Sequence, residues 1–407
     1  MKKILQINVS VNTGSTGRIT EDIANTAIAA GYESYIAYGR TNNGSRSKVI
    51  RIGNEMDLMI HLLYSRLFDK HGLASKRATK KLIQHIEKIQ PDIVHLHNLH
   101  GYYLNYEILF HYLNEWNIPV VWTFHDCWPV TGHCSHFDAV NCSKWQTGCH
   151  ICPNKKGYPT CLFVDNSKNN YAIKKKMFAA CNHLTIITPS EWLANIVKFS
   201  FLRNRELMTI HNGVDINVFQ PVSSTEILRH YAIPDNKFMI LGVAGIWHKR
   251  KGLDDFIHIS QCIDDSIIIV LIGLNKRQQN DLPKNIKGIS RMENINELAQ
   301  LYAASSVFVN PTRIDNFPTT NLEALACGTP VITYHTGGSP ESVSEDTGFV
   351  VEKGDVTGLL QAINQVKTLG KACFSEQCRQ RAVDLYDNKK QYAEYIKLYD
   401  SLLCKSS

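Results

Sequence analysis

Ser306-Val-Phe-Val-Asn310-Pro-Thr-Arg-Ile-Asp315-Asn-Phe-Pro-Thr-Thr320-Asn-Leu-Glu323-Ala-Leu-Ala-Cys-Gly-Thr-Pro330-Val-Ile-Thr333 is the stretch that decides the fold. The run Ser306–Asn310 is short and apolar, as a buried strand is. A loop with two prolines follows, then a helical pattern near Asn321, then a second strand, Pro330–Thr333. Strand, loop, helix and strand in succession make a parallel βαβ unit. Two acids punctuate it: Asp315 on the loop and Glu323 on the helix.

The same rhythm extends in both directions. Upstream in this half, Phe238–Val243 and Ser266–Ile272 read as strands, with Lys249-Arg-Lys-Gly252 at a loop and a helix from Leu253. Downstream, Thr336-Gly-Gly-Ser339 follows the strand, Gly348–Val351 is the last strand, and Tyr386–Leu403 is a terminal helix. The first half repeats the pattern. Its strands are Lys3–Val9, Tyr35–Tyr38, Asp92–His97, Val120–Phe124, Leu184–Thr188 and Met208–His211. Lys80–Gln90 is a helix stopped by Pro91, and another helix starts at Glu191. Strands alternating with helices predict an α/β protein with doubly wound parallel sheets, and such sheets bind ligands at the carboxyl ends of their strands. His97, His100, His125 and Asp126 fall at those ends. Asn12-Thr-Gly-Ser-Thr-Gly-Arg18, between the first strand and a helix, is a glycine loop suited to an anion.

Pro221-Val-Ser-Ser224 reads as a linker. The expected domains are 1–218, 219–385 and a terminal helix 386–407 that packs back on the first domain. The whole chain of 407 residues, 44% hydrophobic and 20% charged, can bury two such cores and excludes a disordered or fibrous protein. No apolar run approaches the ~20 residues of a membrane span. Gln6 and Asn8 interrupt any signal core, so a cytoplasmic location is expected. Lys and Arg against Asp and Glu number 24 to 16 in residues 1–218 and 20 to 21 thereafter. The basic excess therefore belongs to the first half, concentrated at Lys70, Lys76, Arg77, Lys80, Lys81 and Lys88. That segment is either a solvated helix face or a patch for anionic lipid or a phosphate-bearing substrate. No nucleic-acid motif accompanies it.

Six of the 12 cysteines crowd together at Cys127, Cys134, Cys142, Cys149, Cys152 and Cys161. Cys149-His-Ile-Cys152 suits two thiolates on one tetrahedral ion, and Cys134 and Cys142 could complete the set as a structural zinc site. The alternative is a reduced or disulfide-pinned loop. A loop this long inside a domain calls for a staple of some kind.

The stretch around Asp315 and Glu323 resembles the acidic-x7-Glu motif of the retaining family-4 glycosyltransferases, with Asp in place of the usual first Glu. Thr188-Pro-Ser190, His211-Asn-Gly-Val-Asp215, Lys251-Gly252 and Gly337-Gly338 also look like that family, so the resemblance covers nearly the whole chain. The cysteine-rich loop and the Asp315-Asn-Phe-Pro variant look closest to bacterial enzymes of O-antigen, colanic acid or capsule synthesis. The resemblance implies a GT-B fold, two Rossmann-like domains facing a cleft. It also implies a UDP- or GDP-sugar donor, with Glu323 on the ribose hydroxyls and Asp315 on sugar hydroxyls. Backbone N–H groups of Thr319, Thr320 and Asn321 would hold phosphate, with Lys251 on the leaving diphosphate. His125 would stand near the donor sugar, and Gly14, Gly17 and Arg18 would line the cleft opposite. An Arg usually found five residues before the Lys is replaced here by Ile246, leaving Arg250 or Lys249 as substitutes.

Retention is usually described as front-face displacement, which needs neither a side-chain nucleophile nor a metal cofactor, so any zinc would be structural. The expected acceptor is a lipid-linked saccharide met peripherally at the inner membrane face. An epimerase or sugar-phosphate synthase on the same fold, and a zinc-stapled binding protein without catalysis, are the alternatives.

Overall fold

The computed structural model describes residues 1–223 and 225–406. It divides into two compact units. The first comprises Met1–His211 and the chain from Tyr392, and the second Asn212–Gln391. The division thus falls just ahead of the linker expected from the sequence, and the terminal helix begins in the second unit and ends in the first.

In the first unit the order is β1 (Lys3–Asn8), α1 (Gly14–Ala29), β2 (Glu33–Tyr38), β3 (Lys48–Arg51), α2 (Glu55–Phe68), α3 (Lys76–Ile89), β4 (Ile93–Leu96), α4 (Tyr106–Glu115), β5 (Val120–Thr123), α5 (Ser167–Ala179), β6 (Leu184–Thr188), α6 (Glu191–Lys198) and β7 (Glu206–Thr209). All seven strands are parallel in the order β3-β2-β1-β4-β5-β6-β7. Every residue of β4, β5 and β6 is buried, as befits strands covered on both faces. One face packs Ile19, Ile23 and Ala27 of α1 with Tyr395, Ile396 and Tyr399 of the terminal helix. The other packs Leu82 and Ile86, Leu109 and Phe110, Phe178 and Leu193.

The second unit runs α7 (Thr225–His230), β8 (Phe238–Val243), α8 (Leu253–Cys262), β9 (Ile267–Ile272), α9 (Lys276–Asn280), β10 (Ile286–Ile289), α10 (Ile295–Ala304), β11 (Val307–Asn310), α11 (Thr319–Ala326), β12 (Val331–Tyr334), β13 (Gly348–Val351), α12 (Val356–Leu369) and α13 (Ala372–Leu385), and then enters α14 (Asn388–Ser406). Its six parallel strands are ordered β10-β9-β8-β11-β12-β13. Both sheets are therefore doubly wound. Strand order reverses between β1 and β4 in one and between β8 and β11 in the other, and the crevice at such a reversal is where ligands bind.

The cysteine-rich segment between β5 and α5 holds three short 3-10 turns and otherwise irregular chain. It is anchored by Lys174 of α5. That fully buried ammonium donates to the carbonyls of Trp128 (2.6 Å) and Thr131 (3.0 Å) and lies 3.4 Å from the Trp128 ring centroid.

Candidate active site

In the second unit the two loops that leave the switch point are tied together. Lys251 lies after β8 and Asp315 after β11, and Lys251 Nζ donates to Asp315 Oδ2 at 2.6 Å. The backbone N–H of Arg313 donates to the Arg250 carbonyl (2.8 Å), and the Arg313 guanidinium grips Asp255 of α8 through two bonds of 2.6 and 2.7 Å. Two glycines make this approach feasible. Gly252 has φ +79°, and a Cβ there would stand 2.5 Å from the Pro311 carbonyl oxygen. A Cβ on Gly337, at φ +56°, would stand 1.8 Å from that of Asp315. The Lys251-Gly252 and Gly337-Gly338 pairs thus shape the acidic loop rather than merely turn the chain.

Glu323 is in the second turn of α11 rather than at its start, and Tyr302 of α10 donates to its Oε2 at 2.9 Å. The expected phosphate cradle needs correction at one position. The Asn321 N–H donates to the Pro318 carbonyl (3.1 Å). Its side chain accepts from Asn310 (2.8 Å) and donates to Ser339 (3.2 Å) and Ser342 (2.9 Å), all buried. Asn321 therefore braces the helix against the strands, and the N-terminal turn offers Thr319 and Thr320. Ile246, where an Arg was expected, is exposed. Arg250 is half-buried beside Lys251, while the sequence reading passed over Arg313, which the Asp255 grip makes a fixed part of the loop.

In the first unit the helix begins earlier than the sequence suggested. Gly14, at φ +68°, already opens α1, and Gly17 lies in its first turn, where a Cβ would meet the backbone of Ser10 and Asn12 at 3.3 Å. At the ends of β4 and β5, His97 Nδ1 and His125 Nε2 lie 3.1 Å apart. Burial lowers the His125 imidazole to about 4, with Asp126 acting against the shift and His100 with it. His100 Nε2 pairs with Asp126 Oδ2 at 2.7 Å, and Tyr158 of the cysteine segment reaches His100 Nδ1 at 3.2 Å. Burial would raise the Asp126 carboxyl, but His100 and the Trp128 N–H hold it at about 2.

Cys134, Cys142, Cys149 and Cys152 line one small pocket together with His133 and His150. The neighbouring Cys134 and Cys152 thiols interact, which pulls the Cys152 thiol down and pushes the Cys134 thiol up. The Gly132 N–H donates to Cys149 Sγ at 3.2 Å. His133 bonds Asp69 through Nδ1 at 2.5 Å, a pairing between α2's end and the loop that spacing did not reveal. Among the described residues no group of three or more His, Cys, Asp or Glu is arranged to hold a metal ion as the side chains stand. Cys127 and Cys161 are buried apart from this pocket's lining.

Comparison with known proteins bears on both units. Residues 16–218 match the family described as Glycosyltransferase Family 4, and residues 237–368 match that described as Glycosyl transferases group 1. A putative colanic acid biosynthesis glycosyl transferase, WcaC of Escherichia coli K12, is 25% identical over 98% of this chain and 100% of its own length. An Escherichia coli UDP-Gal:alpha-D-GlcNAc-diphosphoundecaprenol alpha-1,3-galactosyltransferase is 25% identical over 55% of this chain and 62% of its own. Among solved structures, Anabaena HepE in complex with UDP and glucose is similar with a TM-score of 0.69. It is 16% identical, over 98% of this chain and 100% of that one.

Proposed function

We propose, for a chain that belongs to the family-4 glycosyltransferases and has their GT-B fold, that it is a retaining hexosyltransferase of bacterial surface polysaccharide synthesis, taking its sugar from UDP or GDP. The observation that carries this reading is the joined pair Lys251–Asp315 at the switch point of the second sheet, with Glu323 on the helix that follows. That is where a doubly wound sheet receives a nucleotide. Glu323 accepts hydrogen bonds from the ribose hydroxyls, and Asp315 accepts from the sugar. Lys251 turns from Asp315 toward the diphosphate, where negative charge grows as the glycosidic bond breaks.

In the transfer itself the anomeric C–O bond to phosphate breaks and a bond to the acceptor oxygen forms on the same face. The acceptor's proton passes to the departing phosphate. No side-chain nucleophile and no metal enters this scheme, and the cysteine-lined pocket has a structural place only. WcaC's name and the diphosphoundecaprenol in the galactosyltransferase's name support a polysaccharide pathway and a lipid-linked acceptor.

Peripheral contact with the inner membrane face follows from the same reading. Among the described residues no helix is long and apolar enough to cross a membrane. Instead α2 is turned inside out, with His61 and Ser65 buried while Met56, Met59, Ile60, Leu63 and Leu67 share an exposed face. Leu162, Phe163 and Val164, also exposed, join it where the Leu162 N–H meets the Arg66 carbonyl at 2.9 Å. Lys76, Arg77, Lys80 and Lys81 of α3 stand exposed nearby in sequence. An apolar face with exposed cations close by in sequence suits an anionic bilayer.

The test is a donor screen. Protein is incubated with UDP- and GDP-sugars, with and without membrane lipid extract, and released nucleotide is quantified. Release from one donor that depends on the extract is expected. Release that needs no lipid would favour an epimerase or a synthase with a soluble acceptor, and no release from any donor would refute the proposal.

A further inference from the structure

Two buried histidines, His95 and His97, the half-buried His125 and one buried glutamine are linked in the first unit. Gln6 Nε2 donates to the Thr20 carbonyl of α1 at 3.0 Å. A carbonyl only accepts, so the amide nitrogen must face Thr20, and Oε1 must face His97. Oε1 likewise only accepts, so the proton between Gln6 and His97, 2.9 Å apart, sits on His97 Nε2. Burial holds His97 neutral, well below its ordinary value, so its Nδ1 carries a lone pair. The 3.1 Å contact to His125 is then a bond donated by His125 Nε2. The rings are stacked at 5.4 Å and 19°, which fixes the His125 plane as well. His95 closes the far side of His97, its own nitrogens spent on Thr123 Oγ1 (2.8 Å) and Tyr399 OH (2.7 Å). The other ionisable groups that face this line are Asp126, His100 and Tyr395.

We propose that Gln6 and His97 are positioning residues that lock His125 in the Nε2–H tautomer, so that its Nδ1 can only accept a hydrogen bond and the donor must offer it a sugar hydroxyl. This rests on the reading above that His125 meets the donor sugar. The substrate class narrows accordingly. A neutral hexose with its full set of hydroxyls is taken, whereas a uronic acid sets a carboxylate against the Nδ1 lone pair and a deoxy sugar leaves it unpaired. Sequence periodicity could not reveal this, because Gln6 lies inside an otherwise apolar strand and would pass for a tolerated core polar residue.

Nitrogen NMR of the histidine-labelled protein reads the tautomer directly. The His125 signal, assigned through a His125→Gln sample, should show a protonated Nε2 and an unprotonated Nδ1. An Nδ1–H tautomer or an imidazolium at pH 7 overturns the proposal. Gln6→Glu keeps an acceptor for His97 but adds a negative charge that favours protonated rings. Its donor kcat/KM should therefore gain an acid limb between pH 6 and 8 that the wild type lacks, with activity recovered at the alkaline end. A profile superimposable on the wild type overturns the relay. Gln6→Met, which removes the acceptor, should lower kcat/KM about tenfold and halve or better the preference for hexose over uronate donors. Should the tautomer be as stated while no sugar nucleotide turns over, the relay stands and the transferase reading fails instead.

Discussion

Acidification from pH 7.5 to 5.5 should strip most of the stability from the first unit. His61, His95 and His125 are pushed by burial to about 3, 3 and 4, and burial holds His71 and His97 well below the ordinary value. All five are neutral in the folded chain at pH 5.5 and protonated in the unfolded one. The folded values lie below the unfolded value, so this stability is complete above about pH 6.5 and is lost as pH falls beneath it. One unit of pH below 6.5 costs about 1.4 kcal/mol per histidine. Five sites thus lose about 7 kcal/mol at pH 5.5.

His133 works the other way, since Asp69 raises it against the effect of burial, so it offsets part of that loss. Asp126, held at about 2, stays ionised throughout and changes nothing. A histidine loss approaching about 7 kcal/mol compares with a whole domain stability of roughly 5–15 kcal/mol. Urea unfolding followed by tryptophan fluorescence should show the midpoint falling by roughly 2–3 M for a slope of 2–3 kcal/mol per M. His95→Gln should reduce the pH dependence by about one fifth. A midpoint that moves by less than about 0.5 M across this range would refute the reasoning.

Lys251→Ala should lower kcat by about 100- to 1,000-fold, with donor KM changed much less, because the charge it answers develops in the transition state. Steady-state kinetics with the donor found in the screen checks this. Leu63→Ser combined with Phe163→Ser should cut cosedimentation with anionic vesicles at least fivefold while leaving turnover of a soluble acceptor analogue intact. Removing charge at Lys76, Arg77, Lys80 and Lys81 should weaken vesicle binding mainly at low salt. Elemental analysis of protein purified under reducing conditions decides the cysteine pocket, where about one equivalent of zinc, lost in a Cys149→Ser and Cys152→Ser pair, is the result expected of a metal staple.

Much of the architecture could be read from strands alone. The central strands β4, β5, β6, β8, β9 and β11 are apolar runs because helices cover both their faces. Two of the four edge strands escaped. β3, Lys48-Val-Ile-Arg51, and β10, Ile286-Lys-Gly-Ile289, carry charge or glycine because one side of each meets solvent. Helix α2 escaped for a different reason, since its apolar stripe faces outward and its buried positions are His61 and Ser65, the reverse of the pattern that marks a core helix.

For the candidate site, the family resemblance singled out Asp315, Glu323, Lys251 and His125. It could not show that Lys251 and Asp315 are partners, that Asn321 spends its N–H on Pro318, or that His133 answers Asp69 from across the fold. Those are contacts between segments far apart in the chain, set by sheet order and loop path. The glycines at 252 and 337 make the point in reverse, since their identity is visible in the sequence but the carbonyl each must clear is not.

The most direct measurement of the central claim is calorimetric titration of UDP and GDP into the wild-type protein and into Glu323→Ala, with thermal unfolding run beside it to confirm an intact fold. Two hydrogen bonds to a carboxylate are worth roughly 1.5–3 kcal/mol each at most, so the account predicts that one of the two nucleotides binds and that the variant binds it at least tenfold more weakly. Equal affinity in both proteins, or no binding of either nucleotide to the wild type, would contradict it.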